Sequence, residues 1–151
     1  MNEILYTSTG ILRYHYQGAG YKLAVDIDPE ITRFYRSLIP KNIKTNPQMY
    51  DAHISVVRKE VPPNLEFWER YEGQEIEFLY SPIIYYGEVY VWLNCFSKRL
   101  EEIRLELGLP VDSPYTRPPS GLEKTFHSTI CNLKNIPNGS SQFYFYPEFR
   151  A

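Results

Sequence analysis

Ala52-His53-Ile54-Ser55-Val56 reads as a strand in which an imidazole and a hydroxyl fall on one face and three apolar side chains on the other. The same frame recurs as Phe126-His127-Ser128-Thr129-Ile130: apolar, His, any residue, hydroxyl, apolar. The third histidine, His15, is followed by Tyr16 and Gln17 and lacks the frame. Strict alternation predicts that His53, Ser55 and Val57 share a face, and that His127, Thr129 and Cys131 do the same in the second strand.

Upstream of the first frame, Tyr21–Ile27 alternates with Leu23, Val25 and Ile27 on one side, the pattern of a strand. Asp28 and Pro29 then supply an N-cap and a first helical position. Ile31, Phe34, Tyr35 and Leu38 form the apolar stripe of that helix, and Pro40 stops it. Lys41–Asp51 reads as a loop. Upstream of the second frame, Val89–Phe96 is β-branched and aromatic. Ser97 caps a helix to Leu107, ended by Gly108, and the proline-rich segment Val111–Gly121 is a loop. Strand, helix, loop and histidine strand therefore occur twice, over about residues 21–58 and 89–133.

Between the two copies, Pro62-Pro63 breaks the chain and Leu65–Tyr71 suits a short helix. Ile76–Tyr86, interrupted by Pro82, suits a strand pair or one bent edge strand. Gln142–Phe149 suits a closing strand. The expected fold class is α+β: two pseudosymmetric βαβ-like lobes with antiparallel or mixed sheets, helices outside, and a central cleft. The 151 residues suit a single domain spanning 1–151.

Composition narrows the partners. The net charge is −2 and no basic run is present, which disfavours long nucleic acid and fits a small ligand with few phosphates. No segment is long and apolar enough to suggest a membrane span. Met1-Asn2-Glu3 lacks the basic start of a secretory signal, and Cys95 and Cys131 sit in apolar runs as reduced core thiols would. The expectation is therefore a cytoplasmic protein. Aromatic residues are plentiful, with 14 Tyr, 8 Phe and 2 Trp, and such rings can stack on bases without charge.

The paired frames suit phosphodiester cleavage without a metal. An imidazole with an ordinary pKa of about 6.5 serves as base when neutral and as acid when protonated. Ser55 and Thr129 can donate to the non-bridging oxygens, where charge builds in the transition state. A metal site built on His53, His127 and Cys131 is the weaker reading, because His127 and Cys131 are four residues apart on a strand.

On these residues the chain resembles the two-histidine phosphoesterases, whose mark is a pair of H-x-[ST] motifs in two pseudosymmetric lobes. The resemblance covers Ala52–Val56 and Phe126–Ile130 directly, and the repeat across most of the chain. Its length, its tyrosine content and a strand ahead of the first lobe are most similar to the phage anti-CBASS nucleases, which cut the cyclic di- and trinucleotide signals of bacterial antiphage defence. The resemblance implies His53 with Ser55 and His127 with Thr129 as catalytic pairs and no cofactor. It also implies a small cyclic oligonucleotide such as cGAMP as substrate, and the host bacterial cytoplasm as the place of action. Ser55 stands where Thr is commoner, and both supply a hydroxyl.

Further candidates for the substrate are Lys22 for a phosphate, Tyr16 and Tyr21 beside it for a base, and Trp68 as a stacking platform. Glu148, the only acidic residue after His127, could read a purine edge. Trp92 lies in an apolar strand, where a core role is favoured, and Arg117 in the proline-rich loop could reach over the cleft. Each has an ordinary alternative as a solvated charge or a packed ring. Two other functions share the motif: a 2′,3′-cyclic phosphodiesterase or RNA-end processing enzyme, and a protein that sequesters a nucleotide without cleaving it.

Overall fold

The structure is a computed structural model that describes residues 4–17 and 20–136. Strand β1 (Tyr6–Gln17) serves two neighbours in turn. Tyr6–Ile11 pairs with β5 (Glu75–Tyr80), and Gly10–Gln17 pairs with β2 (Gly20–Ile27). Gly10 sits at the changeover. A Cβ there would lie 2.5 Å from the Asp26 carbonyl oxygen and from Val25 Cγ1, so the backbones can approach only because no side chain intervenes.

The remaining elements are α1 (Pro29–Ser37), β3 (Asn46–Pro47), β4 (His53–Glu60), β6 (Tyr85–Tyr86), β7 (Tyr90–Phe96), α2 (Lys98–Glu106) and β8 (Phe126–Asn132). The strands form one sheet in the order β3-β8-β7-β5-β1-β2-β4, with β6 added to β7, and every pairing is antiparallel. The sheet curls, so that residues of β4 and β8 come within 8 Å (Cα–Cα) without hydrogen-bonding as neighbouring strands.

Both helices start as the sequence suggests. Asp28 accepts from the Glu30 amide at 2.9 Å, and Ser97 Oγ accepts from the Leu100 amide at 3.2 Å. The α+β class is as expected. The strands flanking each helix, however, are antiparallel neighbours (β2 with β4, β7 with β8), so neither unit is a parallel crossover. β5 is interior rather than an edge, because its run ends at Tyr80, before Pro82. The segment after Pro62-Pro63 forms only a 3₁₀ turn, Leu65–Phe67. The Lys41–Asp51 loop includes β3, where Pro47 is tolerated because the strand is an edge. Gln142–Phe149 lies outside the described residues. Among the described residues, no helix is long and apolar enough to cross a membrane.

Two β-bulges correct the expected faces. Leu23 lies opposite Val57 and Ala24 opposite Ser55, so Val56 is an extra residue in β4. Val91 lies opposite Cys131 and Trp92 opposite Thr129, so Ile130 is extra in β8. Each bulge comes three residues after its histidine. Val57 and Cys131 are thereby turned away from the histidine faces and into the core, where both are fully buried. Arg58 then lies opposite Lys22, and a second irregularity at Lys59 (φ 57°) sets Glu60 opposite Tyr21.

The helices are exchanged between the two units. Leu100, Ile103 and Leu107 of α2 pack with Val25, Ile54, Val56 and Val57. Tyr35 of α1 packs with Val91, Leu93, Ile130 and Cys131. The helix that follows β2 thus covers β8, and the helix that follows β7 covers β4.

Arg104, on α2, is fully buried. Its guanidinium donates to the carbonyl of the bulge residue Val56 at 2.7 Å, to both Glu60 carboxylate oxygens at 3.0 and 2.7 Å, and to the Pro110 carbonyl at 2.7 Å. Burial pushes the Glu60 carboxyl up, but the hydrogen bond and charge of Arg104 outweigh it and hold the group below its ordinary value. Removing one partner of such a pair leaves a buried charge uncompensated. Arg104→Ala is expected to lower unfolding free energy by about 3–5 kcal/mol, measured by urea titration. A loss within that of an exposed substitution would mean that the bulge holds without the clamp.

Candidate active site

His53 and Ser55 lie on β4 opposite Asp26 and Ala24. His127 and Thr129 lie on β8 opposite Asn94 and Trp92. Because Ile54, Val57, Ser128 and Cys131 take the helix-covered side, all four motif residues face the side that neither helix covers. The i, i+2 spacing does what the sequence suggests in both strands: it sets one hydroxyl beside one imidazole. No hydrogen bond engages the side-chain hydroxyl of Ser55 or Thr129 among the described residues.

Both rings are held in the same way. His53 Nδ1 lies 2.8 Å from the Asp51 carbonyl oxygen, and His127 Nδ1 lies 3.1 Å from the Thr116 carbonyl oxygen. A carbonyl only accepts, so Nδ1–H is the donor in each ring and Nε2 is left for other chemistry. The anchors differ in origin. Asp51 lies two residues before its histidine, whereas Thr116 belongs to the proline-rich loop. That loop is tightened by Thr116 and Arg117 amides donating to the Ser113 carbonyl at 3.2 and 3.0 Å. Arg117, considered above for a lid, pairs with Asp112 within the same loop, with Nε 3.2 Å from Oδ1. It braces the segment that presents the Thr116 carbonyl.

Burial depresses the His127 pKa, the Thr116 hydrogen bond opposes that, and the charges of His53 and Arg58 depress it further, to about 4. His127 is therefore neutral near pH 7, with an open lone pair on Nε2. That His53 and Arg58 act on His127 also places all three in one electrostatic neighbourhood. Arg58 escaped the sequence reading because strict alternation turns it away, and only the bulge at Val56 returns it to the histidine face. On the same face, opposite His127 and Thr129, Trp92 Nε1 donates to Asn94 Oδ1 at 3.0 Å, and Asn94 Nδ2 donates to Glu123 at 2.6 Å. Tyr85 stacks on Trp92 at 6.0 Å. Trp92 is buried here, as an apolar strand favours.

The substrate-contact candidates divide. Lys22 lies on the histidine face, opposite Arg58, with its ammonium 6.0 Å from the Tyr50 ring centroid. Tyr16, Tyr21 and Trp68 lie on the opposite face. There Tyr16 meets Tyr21 at 4.7 Å, Tyr21 meets Trp68 at 5.0 Å, and Tyr21 and Trp68 pack against the core. The structure does not bring these three to the histidines, because odd-numbered residues of β2 point with Leu23 and Val25. Glu148 lies outside the described residues. His15 pairs with Lys22, two strands from β4. Among the described residues, no three His, Cys, Asp or Glu side chains gather as a metal-ligand set, and Cys131 is on the far face from His127 and Thr129. No family model, no curated protein and no solved structure matches the chain.

The His127 shift has a thermodynamic consequence. Its folded pKa lies below the ordinary value of about 6.5, so between those values the unfolded chain binds the proton that the folded chain refuses. Its contribution is fully present above about pH 6.5 and is lost as pH falls toward 4. Unfolding free energy is expected to fall by about 1.4 kcal/mol per pH unit across that window from this group alone. His127→Gln should flatten that part of the profile. An unchanged slope in this variant would show that His127 is not the group responsible.

Proposed function

We propose that this protein is a phosphodiesterase that cleaves small 3′–5′ linked cyclic di- or trinucleotides by attack of the ribose 2′-hydroxyl, with His53 and His127 as the proton-transfer pair. The observation that carries this reading is the matched construction of the two strands. Each has histidine, hydroxyl two residues on, Nδ1 tied to a carbonyl, and a bulge three residues on. The reading places the two strands as corresponding parts of two pseudosymmetric lobes, with the substrate in a cleft between them.

In the proposed reaction, neutral His127 takes the 2′-OH proton on Nε2. The 2′-oxygen bonds to the adjacent phosphorus as the bond to the 5′-oxygen breaks. His53, protonated on Nε2, gives its proton to that leaving oxygen. The products are a 2′,3′-cyclic phosphate and a free 5′-hydroxyl. Ser55 and Thr129 donate to the non-bridging oxygens as their charge grows. Water then opens the cyclic phosphate: His53, now neutral, takes its proton, and His127 returns one to the 2′-oxygen, leaving a 3′-phosphate. A ring has no ends, and attack by a neighbouring hydroxyl needs none. The low charge and the resemblance to anti-CBASS nucleases support a role in removing such signals in a bacterial host.

Incubation of the protein with cyclic and linear oligonucleotides in EDTA, with products identified by mass, is expected to yield ring-opened 2′,3′-cyclic phosphate and 3′-phosphate products. A ring lacking the scissile 2′-hydroxyl should survive, and its cleavage at the normal rate would rule out this mechanism. His53→Ala and His127→Ala should each lose about 10²–10⁴-fold in rate. Recovery of every ligand intact would favour a sequestering protein instead.

A further inference from the structure

On the helix-free face of β1, β2 and β4, His15, Lys22 and Arg58 stand in one cross-strand row. Lys22 and Arg58 are directly opposite each other, an arrangement of like charges that destabilises a sheet. The side chain of Arg58 forms no ion pair among the described residues. The Lys22 ammonium lies 6.0 Å from the Tyr50 ring centroid and forms no ion pair among the described residues. Another cation of this face, Arg13, is already engaged by Asp26 at 3.6 Å and Glu72 at 3.1 Å. The Lys22–Arg58 row therefore concentrates positive charge that no ion pair neutralises among the described residues.

The row is displaced from the motif residues in a definite direction. Along β2, Asp26 lies opposite His53, Ala24 opposite Ser55, and Lys22 opposite Arg58. One two-residue step, about 7 Å, separates the Ser55 row from the cationic row. That step is comparable to one sugar–phosphate repeat. With one phosphate at the hydroxyls and imidazoles, as the phosphodiesterase reading has it, the cations stand where the next phosphate of the same molecule would reach. Arg58 faces this position only because the bulge at Val56 turns it there, and buried Arg104 holds the Val56 carbonyl and Glu60.

We propose that Arg58, assisted by Lys22, binds a second phosphate of the substrate, so that the preferred substrate carries at least two phosphodiesters rather than one. This rests on the phosphodiesterase reading of the histidine pair. It separates a cyclic dinucleotide from a 2′,3′-cyclic mononucleotide, which offers the site only one phosphate.

The test compares 3′–5′ linked cyclic di-AMP with 2′,3′-cyclic AMP on wild type, Arg58→Gln and Arg58→Lys. The ratio of kcat/KM for the dinucleotide to that for the mononucleotide is expected to fall about ten- to a hundredfold in Arg58→Gln. The loss should fall mainly on KM, with partial recovery in Arg58→Lys. Arg33→Gln removes an exposed cation paired with Glu30 on α1 and should leave the ratio unchanged. An equal loss on both substrates, or no loss, would overturn the proposal. If wild type cleaves neither substrate, the catalytic reading fails, and binding still decides this one. The 2′-deoxy cyclic dinucleotide should bind wild type about ten- to a hundredfold more tightly than Arg58→Gln, with a steeper salt dependence. Equal affinity, or no binding to either, would overturn it.

Discussion

Everything specific about the histidine face depends on departures from strand alternation at Val56 and Ile130. A regular strand would set Val57 and Cys131 beside the motif residues and send Arg58 and Asn132 to the core. The extra residue in each strand reverses that assignment. The motif keeps its imidazole and hydroxyl together because the irregularity falls just after the hydroxyl. It keeps its apolar partners buried because two consecutive residues, rather than alternate ones, then serve the core.

Such an irregularity persists only where the surroundings enforce it. In β4 the enforcement is a guanidinium with no exposed surface, which binds the bulge carbonyl and spans to Glu60. In β8 it is packing: Ile130 and Cys131 are both buried in the cluster that receives Tyr35. The same face is reached by different means, one polar and one apolar. The two histidines likewise share a carbonyl anchor on Nδ1 but draw it from different places, a residue two positions back in one strand and a braced loop in the other. The more buried anchor accompanies the ring whose pKa burial depresses to about 4.

Much of this was legible in the residues, for physical reasons. Asp28-Pro29 and Ser97 announce helix starts through the orphan amides that they satisfy or avoid. The alternation in Tyr21–Ile27 and in both histidine frames reports half-buried strands. β1 was less legible, because Thr7, Ser8, Thr9 and Gly10 carry no apolar alternation, and its pairing with β5 and β2 supplies what the pattern lacks. The faces beyond Ser55 and Thr129 misled the eye, yet a signal existed. Val56-Val57 and Ile130-Cys131 are adjacent apolar pairs at the same place in both frames, and an alternating strand has no use for two in a row. Tyr16, Tyr21 and Trp68 looked like ligand contacts from their chemistry, whereas their register sends them to the core side. The anchor on His127 was beyond reach, since nothing local to His127 names Thr116.

The exchange of helices bears on how the chain comes to hold a site at all. During synthesis, β2, α1 and β4 emerge long before β8, yet the surface that α1 covers belongs to β7 and β8. Until that late strand arrives, Tyr35, Ile39 and Ile43 lack Ile130 and Cys131 of their cluster, and β4 waits equally for α2. Neither histidine strand can be finished by its own end of the chain. Contacts that join such distant segments form slowly, because the loop entropy is lost before the contacts compensate it. The two imidazoles therefore come into each other's field only in the completed fold, and a nascent or partly unfolded chain carries the motif without its geometry.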